Sequence, residues 1–187
     1  MERVVAAYQA NPRDHELEYT QQVPSYSYLA KIMGRMAPHT WTRTCATTVD
    51  GFTDDGLRLT APVSNFLAPG PYDWESAVAK ERLDYTRVGT GKLRLARETP
   101  MSIPVDPVVT RLRHKRRVSF AHEGWVVECT IASQQEVGVG DSSSTSDSST
   151  TSSTSTPLTY ELELEIPPYA TPDDARATIA KLTKLLK

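Results

Sequence analysis

Tyr160-Glu-Leu-Glu-Leu-Glu-Ile166 alternates acidic and aliphatic residues without a break and stops at Pro167-Pro168. In a strand, alternate residues share a face, so Glu161, Glu163 and Glu165 line one side at roughly 7 Å intervals. Leu162, Leu164 and Ile166 line the other. A helix would scatter the same glutamates around its axis, and the paired prolines end the segment too soon for one. A solvent-facing strand of a sandwich explains this stretch taken alone. A second copy of the pattern favours another reading. His15-Glu-Leu-Glu-Tyr-Thr20 sets Glu16 and Glu18 on one face and Leu17 and Tyr19 on the other. If the first and last strands of a closed sheet lie side by side, these five carboxylates converge on one patch. Such a patch stays ionised only beside a neutralising cation. All-oxygen ligation suits Mg²⁺ or Mn²⁺ better than zinc or copper. His15, His39, His114 and His122 lack zinc-site spacing with cysteine, and each reads as a surface or loop residue.

Between the two glutamate strands run short alternating segments: Thr42 to Val49, Gly56 to Thr60, Val78 to Tyr85, Lys92 to Ala96, Arg113 to Phe120 and Trp125 to Ile131. Asp-Gly, Pro-Gly and Gly-Thr-Gly turn signals punctuate them, Pro100 to Pro107 makes a proline-bearing connection, and Ala121-His-Glu-Gly124 suits a hairpin loop. The expectation is a mainly β domain, antiparallel and closed or nearly closed so that no long edge is left free. Ser25 to Met36 carries apolar residues at helical spacing. The tail reads as a C-terminal helix capped by Thr171, with Pro172 at its first position and Asp173 and Asp174 at its positive end. Residues 141–156 are almost entirely Ser and Thr with nothing to bury. They read as a disordered loop inside a single domain spanning 1–187.

A length of 187 residues, a hydrophobic fraction of 39% and a net charge of -2 describe a chain able to bury a core. Near-neutrality argues against a protein that coats nucleic acid generally. Cys45 and Cys129 are too few for a disulfide framework and point to a reducing compartment. Met1 to Tyr8 is no secretory signal, and no apolar run approaches the roughly 20 residues that span a bilayer. A soluble intracellular protein with no membrane partner is expected.

Positive charge concentrates in Arg111-Leu-Arg-His-Lys-Arg-Arg-Val-Ser-Phe120. Alternation places Arg113, Lys115, Arg117 and Ser119 on one face and His114, Arg116, Val118 and Phe120 on the other. Alone, the cluster would suit a solvated face or an import-like patch. Set against two strands of anions in one small β domain, it makes walls of opposite charge, a site for a polyphosphate carrying a divalent ion. Arg58, Lys80, Arg94 and Glu98 are further candidates that singly resemble ordinary surface charges.

Together these motifs resemble the metal-dependent RNA triphosphatases of fungi, protozoa and large DNA viruses, mRNA-capping enzymes of the triphosphate tunnel metalloenzyme superfamily. Glutamate strands open and close the domain in that family, as His15 to Glu18 and Tyr160 to Glu165 do here. Its basic strand of type Arg-x-Lys-x-Arg-x-Ser is matched by Arg113 to Ser119. The following strand, ending acidic-x-Thr, looks like Trp125-Val-Val-Glu-Cys-Thr130. Gly56-Leu-Arg-Leu-Thr60, Ala79-Lys-Glu-Arg82 and Leu93-Arg-Leu-Ala-Arg-Glu-Thr99 resemble, in order, strands bearing a phosphate-binding Arg, an essential Lys and a water-placing Glu. The resemblance runs from His15 to Ile166. Two positions depart: Val126 stands where a basic residue is common, and Glu128 where Asp is common.

The resemblance implies an eight-stranded antiparallel β tunnel with a few peripheral helices, and removal of the γ-phosphate from 5′-triphosphate RNA. It implies Mg²⁺ or Mn²⁺ held by Glu16, Glu18 and Glu165, with Glu161 and Glu163 supporting the ion's water or neighbouring basic groups. Arg58, Lys115 and Arg117 would clamp the γ-phosphate, with Arg94, Arg113 and Thr130 completing the substrate contacts and Glu128 acting beside them. Glu98 would orient water and Lys80 make a further phosphate contact. The implied substrate is the 5′-triphosphate end of RNA; a guanylyltransferase in trans and a second copy of the chain are candidate partners. Tunnel proteins acting on tripolyphosphate, thiamine triphosphate or nucleotides are the alternative, but they usually carry Lys where this chain has Thr20. A non-catalytic module binding RNA ends is the other.

Overall fold

Alternation at the two ends of the chain becomes, in space, the seam of a closed sheet. The computed structural model describes residues 1–36, 40–137 and 157–185. Among them the elements run α1 (Glu2–Ala10), β1 (His15–Val23), α2 (Tyr26–Met36), β2 (Thr42–Thr53), β3 (Leu57–Pro62) and β4 (Ser76–Val88). They continue with β5 (Gly91–Met101), β6 (Val109–His122), β7 (Trp125–Glu136), β8 (Leu158–Glu165) and α3 (Pro172–Leu185). The strands form one closed barrel in the order β1-β5-β4-β3-β2-β6-β7-β8, antiparallel throughout, with β8 pairing back onto β1. The expected mainly β architecture with a C-terminal helix is observed. The Ser/Thr-rich stretch 141–156, read above as a disordered loop, lies outside the described residues, as does His39.

The apolar core lies outside the barrel, and this is what frees the interior for charge. Leu17, Tyr19, Leu93, Leu95, Leu162 and Leu164 are each no more than 2% exposed. They pack with Val4, Val5 and Tyr8 of α1, Leu29 and Ile32 of α2, and Ala175, Ile179 and Leu182 of α3. At about 1.5–3 kcal/mol per fully buried side chain, this outer layer carries the hydrophobic stabilisation. Val49, Ala61 and Leu112 form a smaller cluster with Tyr72 and Trp74. There a Cβ on Gly51 would stand 2.7 Å from the Trp74 ring, so this glycine serves close packing within β2. Gly56, with φ +87, makes the β2–β3 turn.

Local chemistry accounts for the connections. Glu123 and Gly124 both have positive φ, as a two-residue turn between β6 and β7 requires. At the start of α3, Thr171 Oγ1 accepts from the Asp174 amide (3.1 Å) while Asp174 Oδ2 accepts from the Thr171 amide (3.0 Å), a reciprocal cap. Helix α1 had no counterpart in the sequence reading. Its nine residues are too few to be helical without the docking that buries Val4, Val5 and Tyr8.

Two histidines correct their expectation, and the first is His15, which lies within β1 with both ring nitrogens buried. His114, read as a surface or loop residue, is buried on the outer face of β6, its ring 6.0 Å from that of Tyr72. Burial holds its pKa below the ordinary imidazole value. Its neighbours Arg113 and Lys115 face the lumen, so alternation sends His114 outward, under the segment that carries Tyr72.

Candidate active site

Because directly paired residues of adjacent strands share a face, the register assigns the lumen lining. On β1, Glu18 pairs with Arg94 of β5 on one side and Glu165 of β8 on the other. On β7, Glu128 lies between Ser119 and Glu163, and Thr130 between Arg117 and Glu161. Asp50 of β2 lies between Thr60 and Arg113. Both glutamate strands and the basic strand therefore turn their charged faces into the same tunnel.

The acidic wall centres on the β1–β8 seam. Glu16 accepts from Lys80 Nζ at 2.8 Å. Glu18 Oε1 stands 2.8 Å from Arg94 Nη2 and 3.6 Å from Lys80 Nζ, yet neither cation is directed to give it a hydrogen bond. Glu165 makes no ion pair among the described residues. Its neighbour on β7 is Val126, at the position where the resembling family carries a basic residue. Burial, then the charges of Glu128, Glu16 and Glu18, push the Glu165 carboxyl up to about 7, although Arg117 pulls the other way. Burial, with Glu161 and Glu128, raises Glu163 too.

The basic wall is held by carboxylates. Glu98 receives both Arg58 (3.0 and 3.1 Å) and Lys80 (2.9 Å). Burial acts to raise the Glu98 carboxyl, but Lys80 and Arg58 outweigh it and keep it below the usual carboxylate range. Arg113 pairs with Glu161. Arg117 bridges Glu128 (2.9 Å) and Glu163 (3.5 Å) and donates to Thr130 Oγ1 at 3.4 Å. Ser119 donates to Glu128 at 2.9 Å. Lys115 pairs with Asp50 at 2.7 Å, but burial and the nearby charges of Arg117 and Arg58 still pull its ammonium below the ordinary lysine value. The Nε groups of Arg58 and Arg94 are buried without an acceptor.

Two groups shifted toward their neutral forms thus share one lumen. At Glu165 burial and then neighbouring carboxylates favour the neutral acid, and at Lys115 burial and then Arg117 and Arg58 favour the neutral amine against the pull of Asp50. Among the described residues no three of His, Cys, Asp and Glu already converge as a metal cage. The donor set at the seam still fits a hard divalent ion: all oxygen, one buried carboxylate oxygen without a hydrogen bond at Glu18, and a second carboxyl, Glu165, whose pKa burial and then neighbouring charge push up.

Each residue singled out from the sequence faces this tunnel: Glu16, Glu18, Arg58, Lys80, Arg94, Glu98, Arg113, Lys115, Arg117, Glu128, Thr130, Glu161, Glu163 and Glu165. Glu161 and Glu163 hold arginines, one of the two supporting tasks expected of them. Asp50 was missed. It is 1% exposed and anchors Lys115, but beside Gly51 it looks in sequence like half of a turn. Its place in Thr48-Val49-Asp50, in step with strand alternation, was the available signal.

No protein-family model matches the chain, and no curated protein does. Solved structures do match its fold. The RNA triphosphatase domain of the trifunctional mimivirus mRNA capping enzyme superposes with a TM-score of 0.69 at 15% identity, over 99% of this chain and 93% of that one. The S. pombe RNA triphosphatase Pct1 gives 0.63 at 15% identity, over 99% and 84%. A chain of the S. pombe Mediator head module gives 0.52 at 12% identity, over 92% and 94%. The chain therefore has the tunnel fold of the viral and fungal RNA triphosphatases.

Proposed function

We propose that the chain is a metal-dependent RNA 5′-triphosphatase that converts a 5′-triphosphate RNA end into a diphosphate end and inorganic phosphate. The observation that carries the reading is a single lumen lined both by the seam carboxylates Glu16, Glu18 and Glu165 and by the cations Arg58, Lys115 and Arg117. A triphosphate with its divalent ion supplies both charges at once. The mimivirus relative comes from an mRNA capping enzyme, which fits RNA as the triphosphate's bearer.

Glu16, Glu18 and Glu165 would hold the ion. A bound Mg²⁺ or Mn²⁺ supplies Lewis-acid neutralisation of charge on the phosphate oxygens. Arg58, Lys115 and Arg117 grip the γ-phosphate and stabilise the charge that develops as its bridging P–O bond breaks and the water oxygen bonds to phosphorus. Glu161, Glu163 and Glu128 fix the arginines in place, so little reorganisation is needed during reaction. Glu98 is held ionised by Arg58 and Lys80. It is therefore a weak base, suited to orienting water through its remaining lone pairs rather than to removing the proton.

Release of phosphate from γ-labelled triphosphate RNA, with and without Mg²⁺ or Mn²⁺, tests the reading. The expected result is metal-dependent release of the γ-phosphate alone. Absence of metal-dependent release from a folded chain would sink it and leave a non-catalytic RNA-end module. Faster release from tripolyphosphate than from RNA would instead assign a polyphosphatase.

A further inference from the structure

Beyond the triphosphate cage, the β4–β5 hairpin carries a second cluster of cations. Arg82, Tyr85, Arg87, Lys92 and Arg94 line a pocket of about 190 Å³. The register explains how they meet. Tyr85 pairs with Arg94 and Arg87 with Lys92, while Arg82 pairs with Ala96, the residue that also faces Glu16. A bulge between Arg82 and Asp84 inserts Leu83, which packs on the outer core. Unbroken alternation from Lys80 and Arg82 would put Tyr85 and Arg87 on the outer face; the bulge absorbs one residue and keeps both on the lumen side. Arg82, Arg87 and Lys92 make no ion pair among the described residues, in contrast to the cations of the cage. Tyr85 is 56% exposed, its ring open to a partner.

Arg94 and Lys92 continue this cluster into a larger cleft of about 750 Å³ at the same end of the tunnel, lined also by Thr20, Arg111, Arg113 and Glu161. Arg94 also pairs with Glu18 in the cage, so one unbroken polar surface joins the two regions. From Lys80 to Arg87 the strand spans about 20 Å, longer than a triphosphate needs.

We infer that this mouth is where the RNA chain leaves the triphosphate cage, with Arg82 and Arg87 contacting backbone phosphates of the first nucleotides and Tyr85 stacking on a base. The proposal rests on the RNA triphosphatase reading and deepens it. Unpaired cations beside an exposed aromatic suit single-stranded nucleic acid, which offers regularly spaced phosphates and flat bases. An acidic peptide would answer the charge but not the ring.

The test compares the intact chain with the Arg82→Ala/Arg87→Ala and Tyr85→Ala variants, each checked for native circular dichroism and melting temperature. Hydrolysis is measured on triphosphate RNA and on tripolyphosphate. The expected result is a KM for RNA raised roughly three- to tenfold by the double arginine change, the scale of two exposed charge pairs, with kcat and tripolyphosphate kinetics unchanged. Binding of a 5′-hydroxyl RNA oligonucleotide, followed by fluorescence anisotropy, reads the mouth without hydrolysis and so stands even if the chain cleaves nothing. Its log–log salt slope should flatten by about 1.4 when two phosphate contacts go, and Tyr85→Phe should retain the affinity that Tyr85→Ala loses. Unchanged RNA affinity and slope would overturn the proposal. So would an equal KM rise for tripolyphosphate, which would return the arginines to the cage, or competition by polyglutamate as effective as by RNA.

Discussion

Glu18 and Glu165 stand directly opposite each other where β1 meets β8, so the seam that closes the barrel is also where its carboxylates crowd. Residues from the two ends of the chain are brought together by closure, and burial, followed by the charges of Glu128, Glu16 and Glu18, pushes the Glu165 carboxyl up to about 7.

Mn²⁺ should raise the melting temperature of the intact chain, and Glu18→Gln and Glu165→Gln should abolish that rise. Glu161→Gln, which touches Arg113 and no proposed ion, should keep that rise and lose roughly ten- to a hundredfold in activity, the usual scale for an outer partner. Differential scanning fluorimetry beside phosphate release would check both. Equal, complete loss at all five glutamates would overturn this division of labour.

Without metal, the part of the stability that depends on Glu165 should fall with rising pH. The folded chain keeps the Glu165 proton to about pH 7, whereas an unperturbed glutamate releases it near 4.5. The folded state therefore binds the extra proton in that window. Its stabilising contribution is full below about 4.5 and lost as pH climbs through 7. The difference in urea midpoint between the intact chain and Glu165→Gln, taken in chelator from about pH 5 to about pH 8, should decline, and Mn²⁺ should flatten the decline. Val126→Arg, placing a cation beside Glu165, should flatten it as well; a slope unchanged in Glu165→Gln would show another group responsible.

Asp50→Ala should destabilise the fold by about 3–5 kcal/mol, since it leaves the Lys115 ammonium buried without its partner. Chemical denaturation would measure it. A change below about 1 kcal/mol would mean that water already solvates Lys115.

Leu162→Ala and Glu163→Gln are neighbours with opposite consequences. The first empties part of the outer core and should cost about 2–5 kcal/mol while sparing activity at temperatures where the chain stays folded. The second should shift stability by less than about 1 kcal/mol yet slow phosphate release by loosening Arg117. Unfolding midpoints and rates for both, measured together, check the assignment of faces.

Much of this was legible before any coordinates. Strand period sorts every residue of β1, β6 and β8 onto one face or the other, because side chains alternate whatever the partner strand. Turn residues placed the hairpins, and Thr171-Pro172 with Asp174 marked the start of α3. What alternation cannot say is whether the apolar or the charged face points inward, because that depends on which surface the helices cover. Helix α1 shows the point: it is too short to declare itself, yet it helps to cover the wall that leaves the glutamates to the lumen.

By itself, the sequence determined the strand order of charges and the two faces they occupy, because both follow from a local period of two. Only the tertiary structure decided that Glu18 meets Glu165, that Lys115 rests on Asp50, that Glu98 spans Arg58 and Lys80, and that a bulge at Leu83 keeps Arg87 in the tunnel. Those pairings depend on register and closure. Both are set by contacts between residues far apart in the chain, and no local pattern records them.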